Sequence, residues 1–149
     1  MVFEDPRCLK CRRCCIGTEM ILLPSDIARI EEMGFDRSYF ATLGSDGMYR
    51  LRNVGGRCVF LRGNGCAIYA RRPLGCRVYP LVFDEAMGPV IDPLCPLARE
   101  FSSRCLDIEL GLRMLREFLE GLERFYRYRV DWRLFSEGAR KLLSACVSR

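Results

Sequence analysis

The stretch Cys8-Leu9-Lys10-Cys11-Arg12-Arg13-Cys14-Cys15 decides the reading, with Cys58, Cys66, Cys76 and Cys95 following it. Metal sites need soft, deprotonated ligands that converge on one point. A Cys-x2-Cys turn puts two sulfurs on one side of a tight loop. Two overlapping turns put three around one pocket. The four later cysteines then close the shell, so all eight are candidate metal ligands. Cys14 and Cys15 are adjacent, and adjacent side chains point about 100° apart on a helix and to opposite faces of a strand. They are expected to serve two centres, or one of them to be a supporting or redox thiol. Eight thiols divide into two four-sulfur sites.

The chain has no histidine, which removes Cys2His2 zinc sites and Rieske centres. The run Cys8-x2-Cys11-x2-Cys14, with a distant Cys95-Pro96, has the ferredoxin manner of holding a [4Fe–4S] cluster. Zinc ribbons carry two separate Cys-x2-Cys knuckles, and the later gaps here are not knuckles. An iron–sulfur cluster is the leading expectation and zinc the second.

A chain of 149 residues suits one domain, and 50% hydrophobic residues suffice for a core. No apolar run approaches a membrane span. The first residues, Met-Val-Phe-Glu-Asp-Pro-Arg, lack the basic and apolar segments of a secretory signal. A cytoplasmic protein is therefore expected, and ten cysteines in a reducing compartment point to metal rather than to disulfides. Cys105 and Cys146 read as core thiols. The net charge is +5 with neutral thiols, and thiolates bound to metal would lower it to about +1 to +3. Such a balance is a weak footprint for nucleic acid.

The fold class is α+β: a cysteine-cluster region with short hairpins and helices over 1–100, and a pair of helices over 101–149, in a single domain 1–149. All seven prolines fall in the first region. A helix starts at Pro24-Ser25-Asp26, with Ser25 as N-cap, and ends at Gly34. A second short helix is expected over Asp36 to Thr42. Tyr49 to Val54 and Cys58 to Leu61 read as strands joined at Gly55-Gly56, and Asn64-Gly65 as a turn. A hairpin is expected from Val78 to Phe83 and Pro89 to Ile91. Leu110, Met114, Leu115, Phe118, Leu122 and Phe125 recur at helical spacing, so a helix is expected from about Ser103 to Arg127. A last helix runs from about Trp132, read as a core residue, to Cys146.

Around the third and fourth candidate groups lies Cys66-Ala-Ile-Tyr69-Ala-Arg71-Arg72-Pro73-Leu-Gly75-Cys76-Arg77-Val-Tyr79-Pro80. Arg72, Arg77, Tyr69 and Tyr79 are the candidate cofactor-binding residues. Their plainer role is to neutralise thiolates and bond loop carbonyls, as groups behind metal ligands do.

This constellation resembles the YkgJ-type cysteine-cluster family of zinc- or iron-chelating CxxCxxCC domains. The resemblance rests on Cys8 to Cys15, on Cys66 to Pro80 and on Cys95-Pro96, so it spans residues 8 to 96. It implies metal chelation by the eight cysteines. Relatives that are flagellin lysine methylases use S-adenosylmethionine with an iron–sulfur centre, but this chain shows no clear Gly-rich nucleotide loop. Three functions are therefore carried forward. The first is a metal-binding protein with a redox, carrier or assembly role. The second is a small cluster-dependent enzyme related to lysine N-methylases. The third is a zinc-stabilised module for protein or nucleic acid, with Arg124 to Arg129, Trp132 and Arg133 as its interleaved basic and aromatic stretch. A protein partner is expected on the C-terminal helices, and a membrane is not.

Overall fold

A computed structural model describes residues 2–147. Its backbone packs as two compact units: Asp5–Arg77, and the rest of the described chain. The architecture is α+β, with helices and four separate two-stranded antiparallel ribbons.

The Asp5–Arg77 unit begins with a one-turn helix, α1 (Cys8–Cys11), whose cap residue Arg12 has φ 55°. A 3-10 turn over Arg13–Cys15 follows. Next is α2 (Pro24–Glu32), with Pro24 in its first turn and Leu23 as N-cap. This corrects the expectation that Ser25 caps the helix. Proline fits the first helical position because it lacks the N–H that would be orphaned there. The capping is done by Asp26, whose carboxylate accepts the Leu23 N–H at 2.9 Å. Gly34, at φ 98°, supplies the left-handed residue after the helix.

The short helix α3 (Arg37–Phe40) is smaller than the expected Asp36–Thr42 segment, because Ala41–Leu43 is a strand, β1. It pairs with β2 (Tyr49–Leu51), with Ala41 opposite Leu51. The expected strand from Tyr49 to Val54 is therefore broken at Arg52. β3 (Asn53–Val54) turns through Gly55-Gly56, at φ 60° and 79°, into β4 (Arg57–Cys58). β5 (Leu61–Arg62) and β6 (Gly65–Cys66) form the next ribbon, so the expected strand Cys58–Leu61 is also divided. After a 3-10 turn over Tyr69–Arg71 comes α4 (Leu74–Val78).

The core of this unit is Leu22, Ile27, Ile30, Phe40, Leu51, Val59, Phe60 and Ile68, with Cys58 among them and Cys15, Cys66 and Cys76 packed against it. Phe60 touches Phe35 edge-on at 5.0 Å and Phe40 at 6.0 Å. The α2 stripe Ile27 and Ile30 faces this core at helical spacing.

The other unit is built on a hairpin of β7 (Leu81–Asp84) and β8 (Gly88–Ile91), with Val82 opposite Val90. Val78, expected in the strand, ends α4 instead. A short helix, α5 (Ala98–Phe101), precedes α6 (Cys105–Tyr126) and α7 (Trp132–Val147). The long helices come within two residues of their expected ends. The stripe differs: Ile108, Gly111, Leu112, Leu115, Phe118, Leu119 and Leu122 are buried, while Leu110 and Phe125 are exposed. Gly111 turns toward the core because Phe3 and Leu81 fill the space where its side chain would stand. Gly138 of α7 lies as closely on Met87 and Pro89 of the hairpin. Trp132 is half-buried, with its indole N–H on Glu123 at 3.0 Å and Arg116 over its ring at 5.0 Å.

Cys105 and Cys146 form a disulfide, with Cα atoms 5.4 Å apart. This corrects their reading as core thiols. The two cysteines lie at the start of α6 and the end of α7. An antiparallel helix pair brings those ends together although 41 residues separate them in sequence.

Candidate metal centre

Two of the candidate ligands are made by a local repeat. In the segment 52–59, β3 and β4 close a ribbon, Cys58 pairs with Asn53, and the Val59 N–H donates to the Arg52 carbonyl at 2.9 Å. In the segment 60–67, β5 and β6 do the same: Cys66 pairs with Leu61, and the Ala67 N–H donates to the Phe60 carbonyl at 2.8 Å. Each hairpin thus ends on a cysteine at the equivalent place. The match extends to the sulfurs. The Phe60 N–H donates to Cys58 Sγ, and the Ile68 N–H donates to Cys66 Sγ. A backbone N–H aimed at sulfur favours the thiolate, the form that binds metal.

The 3-10 turn over Arg13–Cys15 brings Cys14 and Cys15 sulfurs into contact with each other. Expected to diverge, they share a proton: the Cys15 thiol donates to Cys14. That bond holds the Cys14 thiol down to about 7 and raises Cys15, which burial raises further. Cys58, Cys66 and Cys76 are all pushed up, in each case chiefly by burial, and Cys76 most strongly. Cys58 feels the charges of Cys66 and Cys14, Cys66 that of Cys14, and both Cys76 and Cys15 those of Cys14, Cys58 and Cys66. The thiols of these five residues therefore share one neighbourhood.

Arginine supplies the opposing charge. Arg72 lowers Cys14, Cys66 and Cys76. It is fixed by its Nε–H on the Tyr69 carbonyl at 2.8 Å and by stacking on the Tyr69 ring at 3.9 Å. Arg62 lowers Cys58 and Cys66, while its guanidinium bonds the Val59 carbonyl and the Tyr39 hydroxyl.

Cys8 and Cys11 bound α1, half-buried and exposed respectively. Arg77 is exposed on α4. Tyr79 belongs to the other unit, where its hydroxyl donates to Asp92 at 2.7 Å. Cys95 belongs there too: its N–H donates to the Asp92 carbonyl at 3.1 Å. Among the described residues, no three Cys, Asp or Glu side chains are drawn closely enough together to grip one ion. The donor set nevertheless fits a thiophilic metal: five thiols, two arginines beside them, two sulfur-directed N–H groups and apolar walls.

Arg62 was not among the candidates read from the sequence. The signal for it was the eight-residue spacing itself, Gly55-Gly56-Arg57-Cys58 against Gly63-Asn64-Gly65-Cys66, which places Arg62 inside the second copy.

A family model described as "CxxCxxCC: Putative zinc- or iron-chelating domain" matches residues 7–96, about three-fifths of the chain. The chain belongs to the CxxCxxCC family. That membership supports a metal-binding role, and the matched span contains all eight candidate cysteines. No curated protein and no solved structure matches the chain. Outside the matched CxxCxxCC segment lie α6, α7 and the disulfide. No helix among the described residues is long and apolar enough to cross a membrane.

Proposed function

We propose that this CxxCxxCC protein binds an iron–sulfur cluster or zinc through the thiolates of Cys58, Cys66 and Cys76 and the Cys14–Cys15 pair. Cys8 and Cys11 are the further ligands that the N-terminal spacing leads one to expect. The reading rests above all on the repeated hairpin, which delivers Cys58 and Cys66 with a backbone N–H directed at each sulfur.

The residues have distinct tasks. The two ribbons hold their sulfurs by main-chain bonds, which vary little with the side chains around them. Arg62 and Arg72 offset the negative charge that accumulates when several thiols lose their protons. Phe60 and Ile68 keep water from the inner side of the group. The Cys14–Cys15 pair keeps one proton until a cation displaces it, so binding releases protons and weakens as pH falls through about 7. An iron–sulfur cluster would supply one-electron redox chemistry, and zinc a fixed cross-link. The cluster is the preferred occupant, on the spacing of Cys8, Cys11 and Cys14. The role that follows is redox, metal carriage or assembly.

Purification without oxygen, with metal, sulfide and visible absorption measured together, tests this. About four irons and four sulfides with a broad band near 400 nm would establish the cluster. Zinc without colour would establish a structural metal domain. A reduced protein that takes up neither would overturn the proposal.

A further inference from the structure

Asp26 is the one charged residue fully buried among the described residues, with 0% exposure. A buried carboxylate is costly unless its oxygens are satisfied. Here both are engaged. One accepts the Leu23 N–H at 2.9 Å. The other accepts the Leu74 N–H at 3.0 Å and an Arg29 N–H at 2.9 Å. The same Arg29 nitrogen also donates to the Arg72 carbonyl at 3.0 Å.

Capping α2 explains only the first of these bonds. The Leu74 bond to Asp26 and the Arg29 bond to Arg72 reach 48 and 43 residues along the chain, to both ends of the step Arg72-Pro73-Leu74. Pro73 is fully buried between them and has no N–H of its own to anchor the step. Leu74 then opens α4, which carries Cys76. A single buried acid thus fixes the segment that presents both the Arg72 charge and the Cys76 thiol.

We infer that Asp26, acting with Arg29, is a positioning residue for the metal centre. It holds the 72–76 segment so that Cys76 and Arg72 stay beside Cys14 and Cys66. This rests on the metal-binding reading above, but its first test needs no metal. It also differs from helix capping, which would act on α2 alone.

The experiment is native-state labelling of the reduced, metal-free chain with N-ethylmaleimide, below its melting transition, resolved cysteine by cysteine with peptide mass spectrometry. In Asp26→Asn, Cys76 should label roughly tenfold faster as its segment opens locally, with Cys58 and Cys66 within about twofold of the original chain. Arg29→Gln leaves the Leu23 and Leu74 bonds in place and removes the ion pair with Asp26 together with the bridge to Arg72. It should accelerate Cys76 by a smaller factor. It also decides the matter if Asp26→Asn does not fold. Unchanged Cys76 labelling would overturn the inference, and so would an equal rise at every cysteine. In the loaded protein, Asp26→Asn should release metal to a chelator faster than the original chain, and an equal rate would overturn it as well. An original chain that binds no metal would instead overturn the metal-binding reading, with the labelling pattern still deciding the role of Asp26.

Discussion

The two units of this chain are built by different means. The unit Asp5–Arg77 has ribbons of two or three residues per strand and helices of at most nine residues. The other has helices of 22 and 16 residues and a disulfide between them. Short ribbons are marginal alone, so the first unit depends on its compact aromatic core and, on the proposed reading, on its thiols finding a cation. The long helices bury continuous apolar stripes and are tied covalently. Metal dependence should therefore be confined to one unit and redox dependence to the other.

The largest test of this contrast is metal removal. A structural zinc contributes roughly 10–16 kcal/mol of binding free energy, comparable with a whole domain's stability of about 5–15 kcal/mol. Chelation should abolish amide protection over 53–68 while α6 and α7 stay protected, as followed by hydrogen exchange. Protection retained throughout in the stripped, reduced chain would break the contrast.

Next in size is the disulfide. Replacing Cys105 and Cys146 together by serine should cost about 4 kcal/mol, from the loop of 41 residues. Thermal melting of the helical signal should report this, with metal content unchanged. A loss of metal in that variant would show that the units are not independent.

Smaller again are two glycine substitutions that contrast the packing. Gly138→Ala would bring a methyl 2.7 Å from Pro89 Cδ and 3.0 Å from the Met87 carbonyl. These are stiff neighbours, so the cost should be about 1–3 kcal/mol. Gly75→Ala meets the flexible Met20 side chain instead, which can swing aside. It should cost less than Gly138→Ala in urea denaturation.

The smallest effect is on reactivity. In the metal-free chain, Cys14 has its pKa lowered by the Cys15 thiol, to about 7. A lowered pKa means that the native-state benefit is complete above the ordinary thiol range and is lost as pH falls through about 7. Alkylation of Cys14 should therefore be half-maximal near pH 7, while Cys15, with its pKa raised, still resists at pH 9. Equal rates at the two would remove the shared proton.

Much of this was legible in the chain. The long helices follow from their apolar period, and membership of the CxxCxxCC family from the spacing of the cysteines. The face of α6 was misjudged at Leu110 and Phe125, because periodicity gives a stripe but not the side on which the hairpin packs. β1 was missed because Ala41-Thr42-Leu43 carries no strand signal beyond its partner Tyr49–Leu51. Asp26 reads in sequence as an ordinary first-turn acid. Its bond to Leu74 depends on a fold that brings residues 48 positions apart together. The disulfide was missed for the same reason, since Cys105 and Cys146 meet only once the helices are antiparallel.

That disulfide leaves the chain with two classes of sulfur, which changes how thiol counts should be read. In denaturant without reductant, the metal-free chain should show eight thiols, and ten only after strong reduction. The difference of two is an internal standard. A preparation that yields fewer than eight has suffered oxidation in the cluster. One that yields ten without added reductant has already lost its disulfide, although its cluster cysteines would look intact.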